Sequence, residues 1–207
     1  KNVGVIKTLT GFKYIGEKIR QFENKEIDGT YILGFEESYG YLIGTHARDK
    51  DAIVSSLLIA EMAAFYNSKG TSIYKELQKL YQEFGYYLEG IKSVTLTGKD
   101  GIEKMANLMT ELRETVKDRT IDKNIKIKRD FKTKKELIVA TGEEKDILLP
   151  VENVIQFVLE DDTYITARPS GTAPKIKFYF SVNASTKEEV EKKLNETMEK
   201  FVATLKL

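Results

Sequence analysis

The apolar residues of this chain change their spacing part-way along it, and that change limits the folds open to it. Between Asp51 and Phe84 they recur every three or four positions: Val54, Leu58, Met62 and Phe65, then Ile73, Leu77, Leu80 and Phe84. This spacing lines one side of a helix. Further on, Ile125, Ile127 and Phe131 alternate with Lys126, Lys128 and Asp130, and Ile176, Phe178, Phe180 and Val182 take every second position. That spacing lines one face of a strand. The expected class is therefore α/β: a partial mixed α/β sheet domain first, then an α+β domain with a mostly antiparallel sheet.

Local signals place the elements. Val3 to Thr8 is short, apolar and β-branched, and is expected to be an interior strand. A helical turn is expected around Glu17 to Glu23, after a stretch punctuated by Gly11 and Gly16. Tyr31 to Leu33 should be a brief strand stopping at Gly34. Asp49 or Asp51 should cap the next helix, which Gly70 ends, and another runs from Ser72 to Gly85. Val94 and Leu96 mark a strand, and Gly98 introduces a helix carrying Ile102, Met105, Met109, Leu112 and Val116. Residues 117–124 are polar and should form a loop. Three strands are expected over Val154 to Leu159, Thr163 to Ala167 and Lys175 to Val182, with a tight turn at Glu160-Asp161-Asp162. Thr186 and Glu189 can form a capping box for a last helix that buries Val190, Leu194, Met198, Phe201 and Leu205. The division expected is 1–87 and 88–207, with a hinge near residues 85 to 91.

Composition closes off several classes. With 33 Lys and Arg against 32 Asp and Glu, the net charge of +1 gives no field that would draw in nucleic acid or a membrane. Absence of cysteine removes disulfides and thiolate chemistry and suits the cytoplasm. No run approaches the roughly 20 apolar residues of a membrane span. The amino end starts without Met and has no signal-peptide layout, which suggests a piece of a longer chain.

Four runs carry possible chemistry. Arg168-Pro169-Ser170-Gly171-Thr172-Ala173-Pro174-Lys175 joins two expected strands. It offers a guanidinium fork, two hydroxyls and a bare backbone to an anion, stiffened by prolines at both ends. A rigid hairpin loop with a surface arginine would have the same composition. Gly34-Phe35-Glu36-Glu37-Ser38-Tyr39-Gly40 follows an expected strand, and its carboxylates and hydroxyl suit a polyhydroxyl ligand. An acidic surface turn is the alternative, and adjacent carboxylates do not suit glycoside hydrolysis. His46-Ala47-Arg48-Asp49-Lys50-Asp51 stands at a helix start, where cations can meet a phosphate and aspartates can cap. His46, the only histidine, is left without a role. Thr10-Gly11-Phe12-Lys13 could bring a hydroxyl, a bare backbone and a charge to a ligand.

Taken in order, these runs resemble the α-D-phosphohexomutase family of phosphoglucomutases and phosphomannomutases, most of all its bacterial phosphoglucomutase branch. Thr10 to Lys13 is similar to the family's third-domain Thr-Gly segment, and Gly34 to Gly40 to its sugar-specificity loop. Arg48 to Asp51 resembles its basic segment, and Arg168 to Lys175 its fourth-domain phosphate loop. The resemblance implies the end of domain three followed by domain four, the latter with a TATA-binding-protein-like sheet. It implies that Thr10, Gly11, Glu36 and Ser38 serve the sugar. Arg168, Ser170, Gly171 and Thr172 would hold the non-reacting phosphate, with Lys50 near the phosphate or transferring a proton. It also implies a hexose phosphate substrate and a hexose 1,6-bisphosphate intermediate. A phosphoserine and a Mg²⁺ loop would lie in N-terminal domains of the same polypeptide.

No Thr-Ala-Ser-His-Asn-Pro-like run and no Asp-x-Asp-x-Asp-Arg run occur here, so this piece should be inactive alone, with no metal ligands of its own. Ala173 stands where the family usually has Glu. Gly40 stands where phosphomannomutases carry His, which favours glucose over mannose. A phosphomannomutase, a phosphopentomutase or a non-catalytic sugar-phosphate module is the alternative.

Overall fold

The computed structural model describes residues 3–36, 39–97, 100–114, 125–171 and 173–205. The chain divides into two units, residues 1–79 and 80–207.

The first unit is built on α1 (Phe12–Glu23), the hairpin β1 (Leu33–Glu36) and β2 (Gly40–Ile43), and α2 (Ala52–Ser68). α3 (Ile73–Phe84) begins in this unit and ends in the second. Phe12, Ile15, Ile19 and Leu42 form a small core, with Tyr31 and Ala47 packed on it. α1 starts well before the expected Glu17. Gly16, which looked like a break, lies inside the helix because the carbonyl of Arg48 would stand 2.9 Å from any Cβ there. Gly34 likewise lies within β1, since the Tyr31 hydroxyl and Ile15 fill the space of a side chain. The Tyr31 hydroxyl donates to the Leu42 carbonyl at 3.0 Å. Burial pushes its pKa up, against a bond to the Gly34 backbone.

Two expectations fail in this unit. Val3 to Thr8 is not a strand: Val5 is 84% exposed, and no strand among the described residues offers it a ladder. α2 keeps its expected cap and period, yet Ser55 is its only buried residue. The small core lies against other elements, so Ile53, Leu57, Leu58, Ile59, Met62 and Phe65 stay exposed.

The second unit holds a seven-stranded, wholly antiparallel sheet in the order β3-β9-β8-β7-β4-β5-β6. Its strands are β3 (Tyr86–Thr95), β4 (Ile125–Asp130), β5 (Lys135–Ile138), β6 (Glu143–Asp146), β7 (Ile155–Leu159), β8 (Tyr164–Pro169) and β9 (Lys175–Ala184). The segment expected to be a hinge, 85 to 91, is mostly strand, because β3 pairs with β9 from Tyr86 onward. β5 and β6 were not expected. They are short, β5 half-buried and β6 charged and exposed at the edge, and Lys135 and Asp146 pair across the two strands at 2.8 Å.

Helices α4 (Gly101–Glu114) and α5 (Lys187–Thr204) cover one face of the sheet. The core there includes Leu108, Met109, Leu112, Ile165, Ile176, Phe178, Phe180 and Phe201. Phe201 meets Phe178 and Phe180 edge to face at 5.3 and 5.7 Å, contacts worth about 1 kcal/mol each beyond area burial. Gly90 of β3 lets α5 approach closely, since Met198 Sδ would lie 2.7 Å from a Cβ there. Thr186 and Glu189 form the expected capping box of α5. The expected positions of Val116 and of the loop 117–124 lie outside the described residues.

Thr163 follows the β7–β8 turn with no solvent exposure, and its hydroxyl has no hydrogen-bond partner among the described residues. An unsatisfied buried hydroxyl costs about 1–3 kcal/mol. Thr163→Val, which keeps the shape and removes the hydroxyl, is expected to raise stability by about 1 kcal/mol in urea unfolding.

Candidate functional site

In the first unit three separate segments meet around Lys50. Asp51 N–H donates to the Tyr41 carbonyl at 2.9 Å, which ties the segment before α2 to β2. The Asp51 carboxylate then caps α2 by accepting from the N–H groups of Ile53 and Val54 at 2.9 and 3.0 Å. His46, without a role until here, donates from Nε2 to Asp51 Oδ2 at 2.8 Å. That bond, followed by the backbone donors of Val54 and Ile53, holds the Asp51 carboxyl below the usual range. A depressed carboxylate stabilises the fold above its unfolded pKa, about 3.9, and that stability is lost as pH falls through the lower folded value.

With its neighbours fixed, Lys50 reaches over β2. Its Nζ lies 2.8 Å from Asp49 Oδ1 and 3.7 Å from Glu36 Oε1, and 5.2 Å above the centre of the Phe12 ring. The bond to Asp49, with a smaller pull from Glu36, holds the Lys50 pKa above its ordinary value. At neutral pH Lys50 is therefore a donor and not a base. Glu36 is paired in register with Gly40, and its side chain is only 13% exposed beneath Lys50. Thr10 is exposed, and Gly11, at φ 127°, is the N-cap of α1, directly before Phe12. Ser38 lies outside the described residues.

Arg48 does not join this cluster. Its guanidinium donates to both oxygens of Glu23 at 2.8 and 2.6 Å and to the carbonyls of Thr45 and Ala47. It fastens the segment to α1, and Lys50 supplies positive charge to the cluster.

In the second unit, Arg168 and Pro169 end β8 opposite Lys177 and Ile176 of β9. The connection is held by backbone bonds: Ser170 N–H to the Lys175 carbonyl at 2.7 Å, and Lys175 N–H to the Ala173 carbonyl at 2.7 Å. Outside it, Leu96 N–H donates to the Pro174 carbonyl at 2.8 Å. Ala173 is exposed and takes part through its backbone, so this closure does not depend on a glutamate side chain. Gly171 has no heavy atom within 4 Å of a would-be Cβ and no positive φ, so its own fold does not require glycine there. Thr172 lies outside the described residues.

Arg168 and Lys177 lie on the face of the sheet opposite α4 and α5, because Ala167, Ile176 and Phe178 take the buried face. Among the described residues the side chains of Arg168, Lys175 and Lys177 have no carboxylate partner. Like charges on directly opposed residues are unfavourable. The sequence reading passed over Lys177 as one polar position in an alternating strand. Counting back from the Pro169–Ile176 pair would have placed it opposite Arg168.

No group of three or more Asp, Glu or His side chains gathers as a metal shell among the described residues, so they do not fit a Mg²⁺ site. Nor is any described helix long and apolar enough to cross a membrane.

Residues 1–84 match the family described as phosphoglucomutase/phosphomannomutase, alpha/beta/alpha domain III. The phosphoglucomutase of Staphylococcus epidermidis is 34% identical over 197 residues, which is 95% of this chain and 35% of that protein. That of Staphylococcus aureus is 35% identical over 194 residues, 94% of this chain and 34% of the relative. The chain thus spans about a third of the length of these relatives. In fold it is similar to the crystal structure of pp63/parafusin, an exocytosis-sensitive phosphoprotein and phosphoglucomutase from Paramecium, in its open form. The TM-score is 0.60 at 19% identity, covering 94% of this chain and 32% of that one. With the four runs in order, the matching domain and the shared fold, the chain belongs to the phosphoglucomutase/phosphomannomutase family.

Proposed function

We propose that this chain is the sugar- and phosphate-recognising C-terminal part of a cytoplasmic phosphoglucomutase, which interconverts glucose 1-phosphate and glucose 6-phosphate through a bisphosphate. The observation that carries the reading is the cationic end of the β8–β9 hairpin, where Arg168 and Lys177 face each other without a carboxylate partner among the described residues. A phosphate dianion would relieve that repulsion and accept from the guanidinium, from the Ser170 and Thr172 hydroxyls and from the backbone at Gly171. The open space at Gly171 lets a ligand approach the main chain.

In the other unit, Glu36 and Ser38 would accept from sugar hydroxyls, Lys50 would donate, and Thr10 and Gly11 would serve the same ligand. The division into third and fourth domains near residue 87 belongs to this proposal. So do the phosphoserine and Mg²⁺ of preceding domains, where Mg²⁺ would neutralise charge on the phosphoryl group in transfer. This chain's own residues bind and orient the sugar phosphate and donate hydrogen bonds to it; they transfer no phosphoryl group. Purified chain is expected to bind glucose 6-phosphate in calorimetry and to leave glucose 1-phosphate unconverted. Absence of binding, or measurable turnover, would overturn this reading.

A further inference from the structure

Gly40 is buried on β2, directly opposite Glu36, and its backbone does not call for glycine. Its φ lies outside the left-handed region, so any L-residue could take its main-chain conformation. The constraint comes from another part of the chain. A Cβ at position 40 would overlap Lys50 Cδ and stand 2.6 Å from Lys50 Cγ, with Glu36 Oε1 at 3.2 Å. The missing side chain is therefore a slot, and the aliphatic stem of Lys50 fills it. Seated there, the ammonium sits above the Phe12 ring and 3.7 Å from Glu36 Oε1.

That last distance is too long for a formed hydrogen bond. A hydroxyl could bridge the ammonium and the carboxylate, accepting from Lys50 while donating to Glu36. Two adjacent hydroxyls of a sugar ring could use the pair together, one on each group. A larger residue at position 40 would push Lys50 out of its slot and leave Glu36 to face the ligand alone.

We propose that Gly40 is a positioning residue that selects ligands through Lys50: by lacking a side chain it seats the ammonium beside Glu36, and the pair reads sugar hydroxyls as one unit. The sugar part of this inference rests on the function proposed above; the slot itself does not. Gly40→Ala is a usable probe because the atoms that must yield belong to side chains, chiefly the flexible Lys50 stem with a small shift of the Glu36 carboxylate, and not to the backbone. The fold should persist while Lys50 moves.

The test uses the purified chain with ¹³C-labelled lysine. The Lys50 Cε–Hε signal is assigned by its loss in Lys50→Arg. In the wild type it should be displaced upfield by the Phe12 ring. In Gly40→Ala it should return to the position of the exposed lysines, with an unchanged melting temperature and glucose 6-phosphate affinity reduced about fivefold. Inorganic phosphate, which has no sugar to read, should bind both proteins equally. A Lys50 signal that stays displaced in Gly40→Ala would overturn the slot. A signal that moves while glucose 6-phosphate affinity is unchanged would overturn the role in sugar reading. A wild-type chain that shows the displaced signal yet binds no glucose 6-phosphate would overturn the proposed function, and the sugar-reading role with it, while the slot would stand.

Discussion

Replacement of Arg168 by alanine is expected to weaken binding of glucose 6-phosphate and of inorganic phosphate about 30-fold or more. A hydrogen bond to a charged group is worth about 1.5–3 kcal/mol, and 2 kcal/mol corresponds to roughly 30-fold in affinity. The same substitution should not harm the free protein. Arg168 faces Lys177 across the β8–β9 pair, and directly opposed like charges cost about 0.2–1 kcal/mol, so removing one should leave stability unchanged or slightly improved. The signature is therefore double: ligand-dependent stabilisation disappears while the unliganded melting temperature holds or rises. A structural arginine would show the reverse, a lower melting temperature with affinity retained in the folded fraction. Wild-type affinity in Arg168→Ala would remove the phosphate role from the hairpin altogether.

The largest effect on stability is expected at Asp130, where β4 ends beneath the C-terminal turn of α4. Asp130 is buried and accepts from Arg113 Nε at 3.3 Å and from the Lys132 N–H at 3.0 Å. Arg113 also donates to the Met109 carbonyl and closely to Asn153 Oδ1, while Lys128 Nζ donates to the Arg113 carbonyl at 2.6 Å. Removing one partner of such a pair leaves a poorly solvated charge, a loss of about 3–5 kcal/mol. Asp130→Ala should therefore lose about 3 kcal/mol and about 10 °C in melting temperature by calorimetry. An apolar pair of similar volume often restores a buried ion pair's contribution. The double variant R113M/D130L should thus recover at least half of the loss. A loss below about 1 kcal/mol in Asp130→Ala would show that the network adds little.

The parts of the fold that could be read in advance were those where one residue's chemistry decides. Thr186 and Glu189 cap α5 because a hydroxyl and a carboxylate three residues apart can each reach the other's N–H. Asp51 caps α2 for a related reason. The β8–β9 hairpin lay where expected because alternation on both sides fixed the strands around it. Failures came where the deciding partner is distant in sequence. Gly16 and Gly34 looked like breaks, yet at each a remote group, the Arg48 carbonyl or the Ile15 side chain, occupies the side-chain space. β5 and β6 are four residues each and carry almost no apolar pattern, since β6 is exposed throughout and β5 is only half-buried. Glu36 could be singled out in advance by its own carboxylate, while the slot at Gly40 could not, because Lys50 fills it from ten residues further on.

The strand order has a consequence for how such a chain is made. Among the described residues β3 lies at the sheet edge and pairs with β9, so Tyr86 must wait for Ala184 before its backbone is paired. Synthesis proceeds at roughly 5–20 residues per second, which leaves β3 unpaired for about 5–20 s after it emerges. During that time Tyr87 and Ile91 lie on a bare edge, where another chain could add to it. A ribosome that stops before Lys175 would release a product lacking both the mate of β3 and one side of the Arg168 hairpin. Such a product would be prone to aggregate, so β9 decides whether the rest of the sheet can be completed.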